Sequence, residues 1–387
     1  MSTFREYRPS IAAFLLMMAM SLTTTALSFF VGPVCDALEI GRGSFTIYYS
    51  IMTLSGIATI TLLGQRINKK GVRGILTFSA FWIAAGLVGF SFSGNLVMFY
   101  VFAGLIGMCG TSCLSLCANV IVQQSYSSAK ASSLLGLVMS GSGVGGMIMS
   151  LIVPGFIDAY GWRMGYRFLA GCWLVLLLGA LALLGNIELS SQVGQRRSAG
   201  SGMTKAEALK SRKFYLMIVI IFALTTGCGI QQQLPSLLSG YGFDTGSVST
   251  MVSVFTGALA VGKILQGLLY SSVGAVRGGC AVISVFAVSF LVLGNPVMVY
   301  PGLVLLAFGM GSVTTLMPTL TRYAFGARDF ASIWSILTTA SSIGSLIATP
   351  AFGMVYDASG SYAPAMIAST VMLVVSLIAM FLCFHKE

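Results

Sequence analysis

Charged side chains are scarce in this sequence. Only 8% of its 387 residues are charged and 56% are hydrophobic, and Asp and Glu together number 10. A typical soluble domain carries about 25% charged residues, so this composition excludes a water-soluble globular protein. The sequence is that of an integral membrane protein, which buries most of its surface in lipid.

Histidine is almost missing as well. The single histidine, His385, stands at the extreme C-terminal end of the sequence. Acid–base chemistry on an imidazole, a His-ligated zinc ion and a Ser–His pair all need a histidine within the apolar segments. We therefore expect neither an enzyme nor a cofactor.

The eight cysteines are scattered through apolar segments, which does not indicate a disulfide framework. Cys109, Cys113 and Cys117 recur at every fourth position, a spacing that would align three soft ligands for a metal on one helix face. Neighbouring glycines favour instead a seam of small residues where helices approach closely. We expect no metal site.

Long apolar runs recur along the whole chain. A run of about 18 nearly uncharged residues is long enough to cross the hydrocarbon core as a helix. Twelve such spans are predicted, at residues 11–33, 45–64, 74–93, 95–122, 131–155, 165–187, 213–240, 247–271, 278–295, 297–321, 330–354 and 362–384. The first span lacks a signal-peptide cleavage pattern, which predicts a retained helix.

Basic residues predict the orientation of these spans. With the N-terminus inside the cell, 17 of the 21 Lys and Arg residues fall in inner loops and tails, whereas Arg42, Arg163 and Arg167 fall in outer loops. This asymmetry satisfies the positive-inside rule with both termini cytoplasmic, in the cytoplasmic (inner) membrane of the cell. The net charge of +11 is spread over short loops beside anionic lipid, so we expect the bilayer, and no nucleic acid, as a partner.

The two halves of the sequence resemble each other. The tripeptide "LTT" at Leu22–Thr24 recurs at Leu224–Thr226, and several glycines recur at a similar offset. Internal duplication is typical of transporters. We expect an all-α integral membrane fold, with twelve transmembrane helices in two pseudo-symmetric six-helix bundles. The N-terminal bundle covers 1–187, a polar cytoplasmic linker covers 188–212, and the C-terminal bundle covers 213–387.

The segment "GQRINKKGVR", from Gly64 to Arg73, resembles the G-x-x-x-D-R-x-G-R-R signature of the major facilitator superfamily. The resemblance extends over nearly the whole chain and implies that the segment is a cytoplasmic loop involved in gating. Gly64 would let helices approach and Gly71 would permit a tight turn. Asn68 stands where the family has Asp, so the family's cytoplasmic latch lacks its usual carboxylate here.

A narrower resemblance is to the branch that contains oxalate/formate antiporters and monocarboxylate porters. It rests on "SGSGVGG" (Ser140–Gly146), "GWR" (Gly161–Arg163) and "GMVYDASGSY" (Gly353–Tyr362). The resemblance implies transport of an organic anion, with a basic residue of the eighth span tied to that anion. This sequence lacks the second cation that the antiporters carry in the eleventh span. It also lacks the lysine that the porters place in the first.

One lysine lies inside the eighth predicted span. Lys263 is roughly 12 Å from the inner end of that span, too far for its side chain to reach the interface comfortably. Placing it against lipid would cost about 2.5–3.5 kcal/mol, so it should face a cavity or a partner. Small and polar residues recur with it every three or four positions from Ser249 to Tyr270, which places them on one helix face.

None of the ten acidic residues falls in a predicted span. Lys263 therefore has no permanent counter-ion at its depth, and a transported anion would supply the missing charge. Carbonyls of an unwound helix or a water-filled pocket remain alternatives. One fixed charge suits a monoanion, with neutral side chains supplying further hydrogen bonds. Together with Lys263, the candidates are Gln231, Gln232, Asn119, Gln266, Thr314, Thr315, Ser335 and Thr339, although intramembrane Asn and Gln also serve as interhelical contacts.

These features predict a secondary active transporter that moves a small, monocarboxylate-like anion by alternating access and functions as a monomer. Anion exchange is the expected mode. Proton-coupled symport of a monocarboxylate and efflux of anionic or neutral small molecules remain open. A proton-driven cation exporter would bury an Asp or Glu, which no predicted span contains.

Overall fold

The computed structural model describes residues 2–109, 114–115, 117–118, 121–122, 125, 128–185, 202–326 and 328–384. Within these ranges the regular structure is helical, apart from an isolated antiparallel β-bridge between Gly202 and Gly326. The first helices are α1 (Ser2–Ser28), α2 (Val31–Leu38), α3 (Arg42–Phe92), α4 (Leu96–Met108), α5 (Ser128–Leu184), α6 (Lys205–Lys210) and α7 (Arg212–Gly227). After a 3₁₀ segment at Cys228–Gln233 come α8 (Leu234–Gly240), α9 (Thr245–Val273) and α10 (Ala275–Leu293). A second 3₁₀ turn, Pro296–Met298, precedes α11 (Val299–Met310), α12 (Ser312–Phe325), α13 (Phe330–Ser359) and α14 (Ala363–Phe384).

The all-helical membrane fold predicted from the sequence is confirmed. In the described part of the chain, nine helical stretches are long and apolar enough to cross a bilayer, and Leu96–Met108 is a shorter apolar helix. The longest stretch, Leu137–Leu184, holds two predicted spans that meet at a kink at Gly161, where φ is +79°. The first span, 11–33, was predicted to end too late, because α1 ends at Ser28 and α2 begins separately at Val31.

Helix α3 contains the second and third predicted spans and the connection between them. The rings of Tyr48 and Phe90 lie 5.8 Å apart, whereas a straight helix would separate these residues by about 63 Å. Thr59 and Ser79 donate hydrogen bonds to the carbonyls of Met108 and Cys109, at 2.8 and 3.0 Å. Both halves of α3 therefore meet the end of α4, and the chain reverses between Thr59 and Ser79.

The predicted loop Gly64–Arg73 lies within the range assigned to α3, between Thr59 and Ser79, where the chain reverses. The tight turn expected at Gly71 stays a prediction.

The chain divides into two compact units. The first comprises Met1–Gln195 with Leu234–Ser253, and the second comprises Arg196–Gln233 with Val254–Glu387. The predicted linker, 188–212, is described only from residue 202, so the predicted domain boundaries stay a prediction.

Glycines let helices pack closely in the same way within each unit. In the first unit, a Cβ on Gly141 or Gly145 of α5 would lie 2.7 Å from a backbone carbonyl oxygen of α1. In the second unit, a Cβ on Gly344 of α13 would lie 3.1 Å from Thr225 of α7. The segment Ser140–Gly146 therefore serves as a contact surface between helices, and its counterpart in the second half of the sequence does the same.

Candidate functional site

Lys263 lies in the middle of α9, about 15 Å from the C-terminal end of that helix at 1.5 Å per residue. The polar positions predicted to share its face are buried, with Thr256 and Gln266 at 2% and 0% exposure. Ile264 and Leu268, on the other side of α9, are 61% and 62% exposed. The polar face of α9 is therefore turned toward protein, and Lys263 is half-buried on it.

Two interrupted helices of the second unit meet at Lys263. The seventh predicted span changes to 3₁₀ geometry at Cys228, whose thiol lies near the Lys263 ammonium. The tenth predicted span is divided between α11 and α12 at Gly311, a minor irregularity because the backbone stays helical there (φ −55°, ψ −28°). A Cβ on Gly311 would lie 3.3 Å from Cγ of Lys263, so the lysine stem packs against this break.

The ammonium of Lys263 interacts with no carboxylate of the described residues. Its ionisable neighbour within the described ranges is the Cys228 thiol, and the Cys228 Sγ donates to the Leu224 carbonyl at 3.5 Å. Some helices extend further than predicted, so Asp158 lies inside α5 just before the kink and Asp357 lies in the last turn of α13. Glu6 likewise lies inside α1, which begins earlier than the predicted first span.

Gln266 joins α9 to the tenth span. Its Nε2 donates to the carbonyl of Phe308, and its Oε1 accepts from the hydroxyl of Thr315. Phe308 lies in the last turn of α11, where carbonyls lose their helical donors. The Gln266 amide therefore holds the two sides of the Gly311 break, and its hydrogen bonds go to protein groups.

The other predicted site residues are less closely grouped. Gln231 is half-buried and Gln232 is buried, both in the 3₁₀ segment. Thr314 and Thr339 are exposed, and Thr314 donates to the Gly311 carbonyl at 3.0 Å. The side chain of Ser335 and the whole of Asn119 lie outside the described residues. The structure thus brings together Lys263, Gln266 and Thr315.

Sequence reasoning missed Cys228 and Gly311. Both stand in apolar runs, where a cysteine or a glycine gives no distinctive signal. Gly311 could have been found from its place in "FGMGSVTTLMP", since closely spaced glycines followed by a proline weaken a helix.

Among the predicted gating residues, Arg73 has a defined contact. Its Nη1 donates to the carbonyl of Gly185 at 2.9 Å, and Nη2 of Arg8 donates to the carbonyl of Ala182 at 3.4 Å. Both guanidinium groups therefore cap the C-terminal end of α5, where carbonyls carry a partial negative charge. The side chains at Asn68 and the other two predicted positions, Gly64 and Gly71, lie outside the described residues.

Comparison with known proteins gives one family. The family model described as Major Facilitator Superfamily matches residues 10–349. An MFS-type transporter of Gibberella moniliformis is 24% identical over 369 residues, covering 87% of this chain and 85% of the relative. Monocarboxylate transporter 9 of Gallus gallus is 30% identical over 149 residues, which are 38% of this chain and 27% of the relative. The sialic acid transporter NanX of Escherichia coli is 26% identical over 54% of this chain and 52% of its own length.

Solved structures share the fold. A crystal structure of the nucleoside transporter NupG, in a mutant form, matches with a TM-score of 0.82 at 12% identity, covering 98% of this chain and 100% of that one. A bacterial homolog of the human lysosomal transporter Spinster, inward-facing and unoccupied, matches with a TM-score of 0.73 at 14% identity over 98% and 96% of the two chains.

Proposed function

Because the chain belongs to the Major Facilitator Superfamily, we propose that it is a secondary active transporter of a small organic monoanion. Substrate would cross by alternating access in the cytoplasmic membrane, with both termini cytoplasmic and the monomer as the working unit. The observation that carries the substrate class is Lys263, a cation within a membrane span that interacts with no carboxylate of the described residues.

The surroundings of Lys263 support an anion as its partner. An ammonium at this depth is costly unless a counter-charge accompanies it. The 3₁₀ segment that begins at Cys228 and the close backbone of Gly311 lie beside it, and a carboxylate placed there would form a charge-assisted hydrogen bond. The names of two relatives, a monocarboxylate transporter and a sialic acid transporter, agree with a carboxylate substrate.

A single fixed charge favours a monocarboxylate over a dicarboxylate. The second carboxylate of a dianion would lose its hydration without gaining a cationic partner. The described part of the eleventh span offers Thr338, Thr339 and Ser342, which are neutral. Gln231 and Gln232 would supply further hydrogen bonds, and so would Thr314, Thr315, Ser335, Thr339 and Asn119.

Anion exchange is the proposed mode of transport. The alternative is symport with a proton, which this chain could support if Lys263 itself released a proton when the site is empty. A third candidate, efflux of anionic or neutral molecules, uses the same site in the opposite direction.

The proposal is tested with purified protein in proteoliposomes and a panel of labelled carboxylates. We expect uptake of at least one monocarboxylate above the level of protein-free vesicles, with weaker competition by oxalate than by formate or lactate. Transport of neutral or cationic compounds alone, with no carboxylate taken up or competing, would contradict the proposal.

A further inference from the structure

The face of α3 that is turned away from its own unit carries an elongated groove. A cavity of about 830 Å³ opens on this face. Its lining includes Arg73, Thr77, Phe78, Phe81, Trp82 and Ala85, which follow one another at helical spacing. Phe78 and Phe81 are 48% and 60% exposed. The groove lies in the first unit, whereas Lys263 belongs to the second, so the proposed transport site leaves it unexplained.

The length of the groove matches one leaflet of a bilayer. From Arg73 to Ala85 the helix rises about 18 Å at 1.5 Å per residue, and half of a hydrocarbon core is about 15 Å. Arg73 directly precedes the predicted third span, 74–93, which places it at the edge of the membrane. The groove therefore runs from the interface to near the middle of the bilayer, the path of an acyl chain in a single leaflet.

The apolar wall of the groove is held in place by contacts with the rest of the unit. The rings of Phe78 and Trp82 stack with centroids 5.0 Å apart. Trp82 Nε1 donates to the carbonyl of Leu105 at 2.9 Å, which ties the indole to α4. A wall fixed in this way can receive a chain with little loss of side-chain freedom.

The interfacial end of the groove is cationic. Arg73 donates through Nη1 to the Gly185 carbonyl, and this contact orients its guanidinium group. A guanidinium carries five N–H donors in a planar fork, a geometry that matches a phosphate. The positive charge at the membrane edge and the apolar wall beyond it are complementary to an anionic lipid, with headgroup and tail in that order.

We propose that this groove binds an anionic phospholipid, with the phosphate at Arg73 and one acyl chain along Phe78, Phe81 and Ala85. The lipid would brace α3 against α4 and the end of α5, which Arg73 already caps. The proposed lipid site does not depend on the identity of the transported substrate, so its test is separate from the test of the proposed transport function.

The test measures lipid retention on the purified full-length protein by native mass spectrometry. Delipidated protein is reloaded with phosphatidylglycerol or with phosphatidylcholine of the same acyl chains. We expect phosphatidylglycerol to be retained preferentially. Arg73→Gln should lower this retention about five-fold, the effect of removing one interfacial cation, and Ala85→Trp should lower it by filling the groove.

Arg8→Gln is the matched control. It removes the same charge and a comparable contact to the C-terminal carbonyls of α5, but Arg8 does not line the groove. We expect it to retain the lipid like the wild type. Equal retention of the two lipids by the wild type, equal losses in Arg8→Gln and Arg73→Gln, or undiminished retention in Ala85→Trp would each overturn the proposal. If Arg73→Gln fails to fold, the proposal is tested by the retention of phosphatidylglycerol against phosphatidylcholine in the wild type and by the retention of phosphatidylglycerol in Ala85→Trp.

Discussion

The aliphatic part of the Lys263 side chain packs against protein, whereas its ammonium group would be neutralised by a bound anion. Its Cγ packs against the backbone at Gly311, and its ammonium lies near the Cys228 thiol. A thiol is a weak hydrogen-bonding group and does not replace a carboxylate as a counter-ion. The arrangement positions the charge without neutralising it, which is what an anion-binding site requires.

Replacing Lys263 tests this directly. We expect Lys263→Gln to abolish anion uptake in proteoliposomes while the yield and the gel-filtration profile stay normal, because the change removes a charge and not a packing contact. Lys210→Gln, which removes the same charge from the exposed helix α6, should transport like the wild type. Wild-type uptake by Lys263→Gln would refute the site assignment.

Substitutions at Gly311 test whether the position of the Lys263 side chain depends on its packing against this glycine. A Cβ there would lie 3.1 Å from Oε1 of Gln266 and 3.3 Å from Cγ of Lys263, closer than relaxed packing allows. We expect Gly311→Ala to raise the KM for the anion and Gly311→Val to raise it further or abolish transport. The control is Gly267→Ala on α9, where a Cβ would meet no atom within 4 Å. Equal kinetics for Gly311→Val and Gly267→Ala would show that the lysine position does not depend on Gly311.

At the scale of the elements, the broken helices are stabilised by side chains from their neighbours. Gln266 of α9 bridges the break in the tenth span, and Tyr362 donates from its hydroxyl to Oε1 of Gln233 at 3.1 Å, beside the break in the seventh. Gly229 packs so tightly on α13 that a Cβ would lie 2.8 Å from Ala348. Each interruption is thus a fixed feature of the second unit.

The Gln266 bridge predicts a loss of stability. Gln266→Leu removes the hydrogen bonds to Phe308 and Thr315, and buried interhelical hydrogen bonds in membranes contribute about 0.6–2 kcal/mol. We expect a lower thermal unfolding midpoint in detergent, with a smaller decrease for Thr315→Val, which removes one of the two bonds. If Gln266→Leu keeps wild-type stability but loses anion affinity, Gln266 is a substrate ligand and the bridge is unimportant.

Helix α6 carries a pH-dependent cap. The backbone N–H of Thr204 donates to Glu207 at 2.8 Å, and together with the Thr204 side chain it lowers the pKa of Glu207 below its ordinary value of 4.5. A lowered folded-state pKa means that the stabilisation is complete above the unfolded-state pKa and is lost as the pH falls through the folded-state pKa. We expect hydrogen exchange, corrected for intrinsic rates, to show protection of α6 that decreases only under acidic conditions.

Two variants separate the charge from the hydrogen bond. Glu207→Gln keeps a capping acceptor without a titrating group, so its protection should be lower than that of the wild type at neutral pH and should not change with acid. The wild type and this variant should converge at low pH, whereas Glu207→Ala should be less protected throughout. A wild-type profile that is flat through the acidic range would contradict the role of the carboxylate.

At the scale of the whole molecule, the charge of Lys263 governs which form of the carrier reorients. An empty carrier must enclose a bare ammonium in a low-dielectric barrier, whereas a loaded carrier encloses a neutral pair. The loaded form should therefore reorient faster, which favours exchange over net flux.

Exchange and symport differ in their energy source. We expect uptake into proteoliposomes to depend on internal anion and to respond weakly to an imposed pH gradient. Vesicles loaded with an impermeant buffer and no transportable anion serve as the control. Strong accumulation in those vesicles, driven by an acidic exterior, would establish proton symport instead.

The sequence alone determined the class of protein and the approximate positions of most membrane helices, and it predicted the depth of Lys263 in its span. These are local properties, because hydropathy and charge placement along about 20 residues decide whether a helix can cross a bilayer. The superfamily was also recognisable from Gly64–Arg73 and from the repeated halves, and the family match confirms it.

The tertiary structure decided which side chains meet. Gln266 belongs with Phe308 and Thr315, Lys263 with Gly311 and Cys228, and Arg73 with Gly185. Most of these partners are dozens of residues apart in the chain, and no periodicity along one helix specifies the face of another that it will contact. The 3₁₀ segment that begins at Cys228 lies beyond sequence reasoning for the same reason. A helix interruption in an apolar run persists only where neighbouring helices satisfy its freed backbone groups, and those neighbours are known only from the fold.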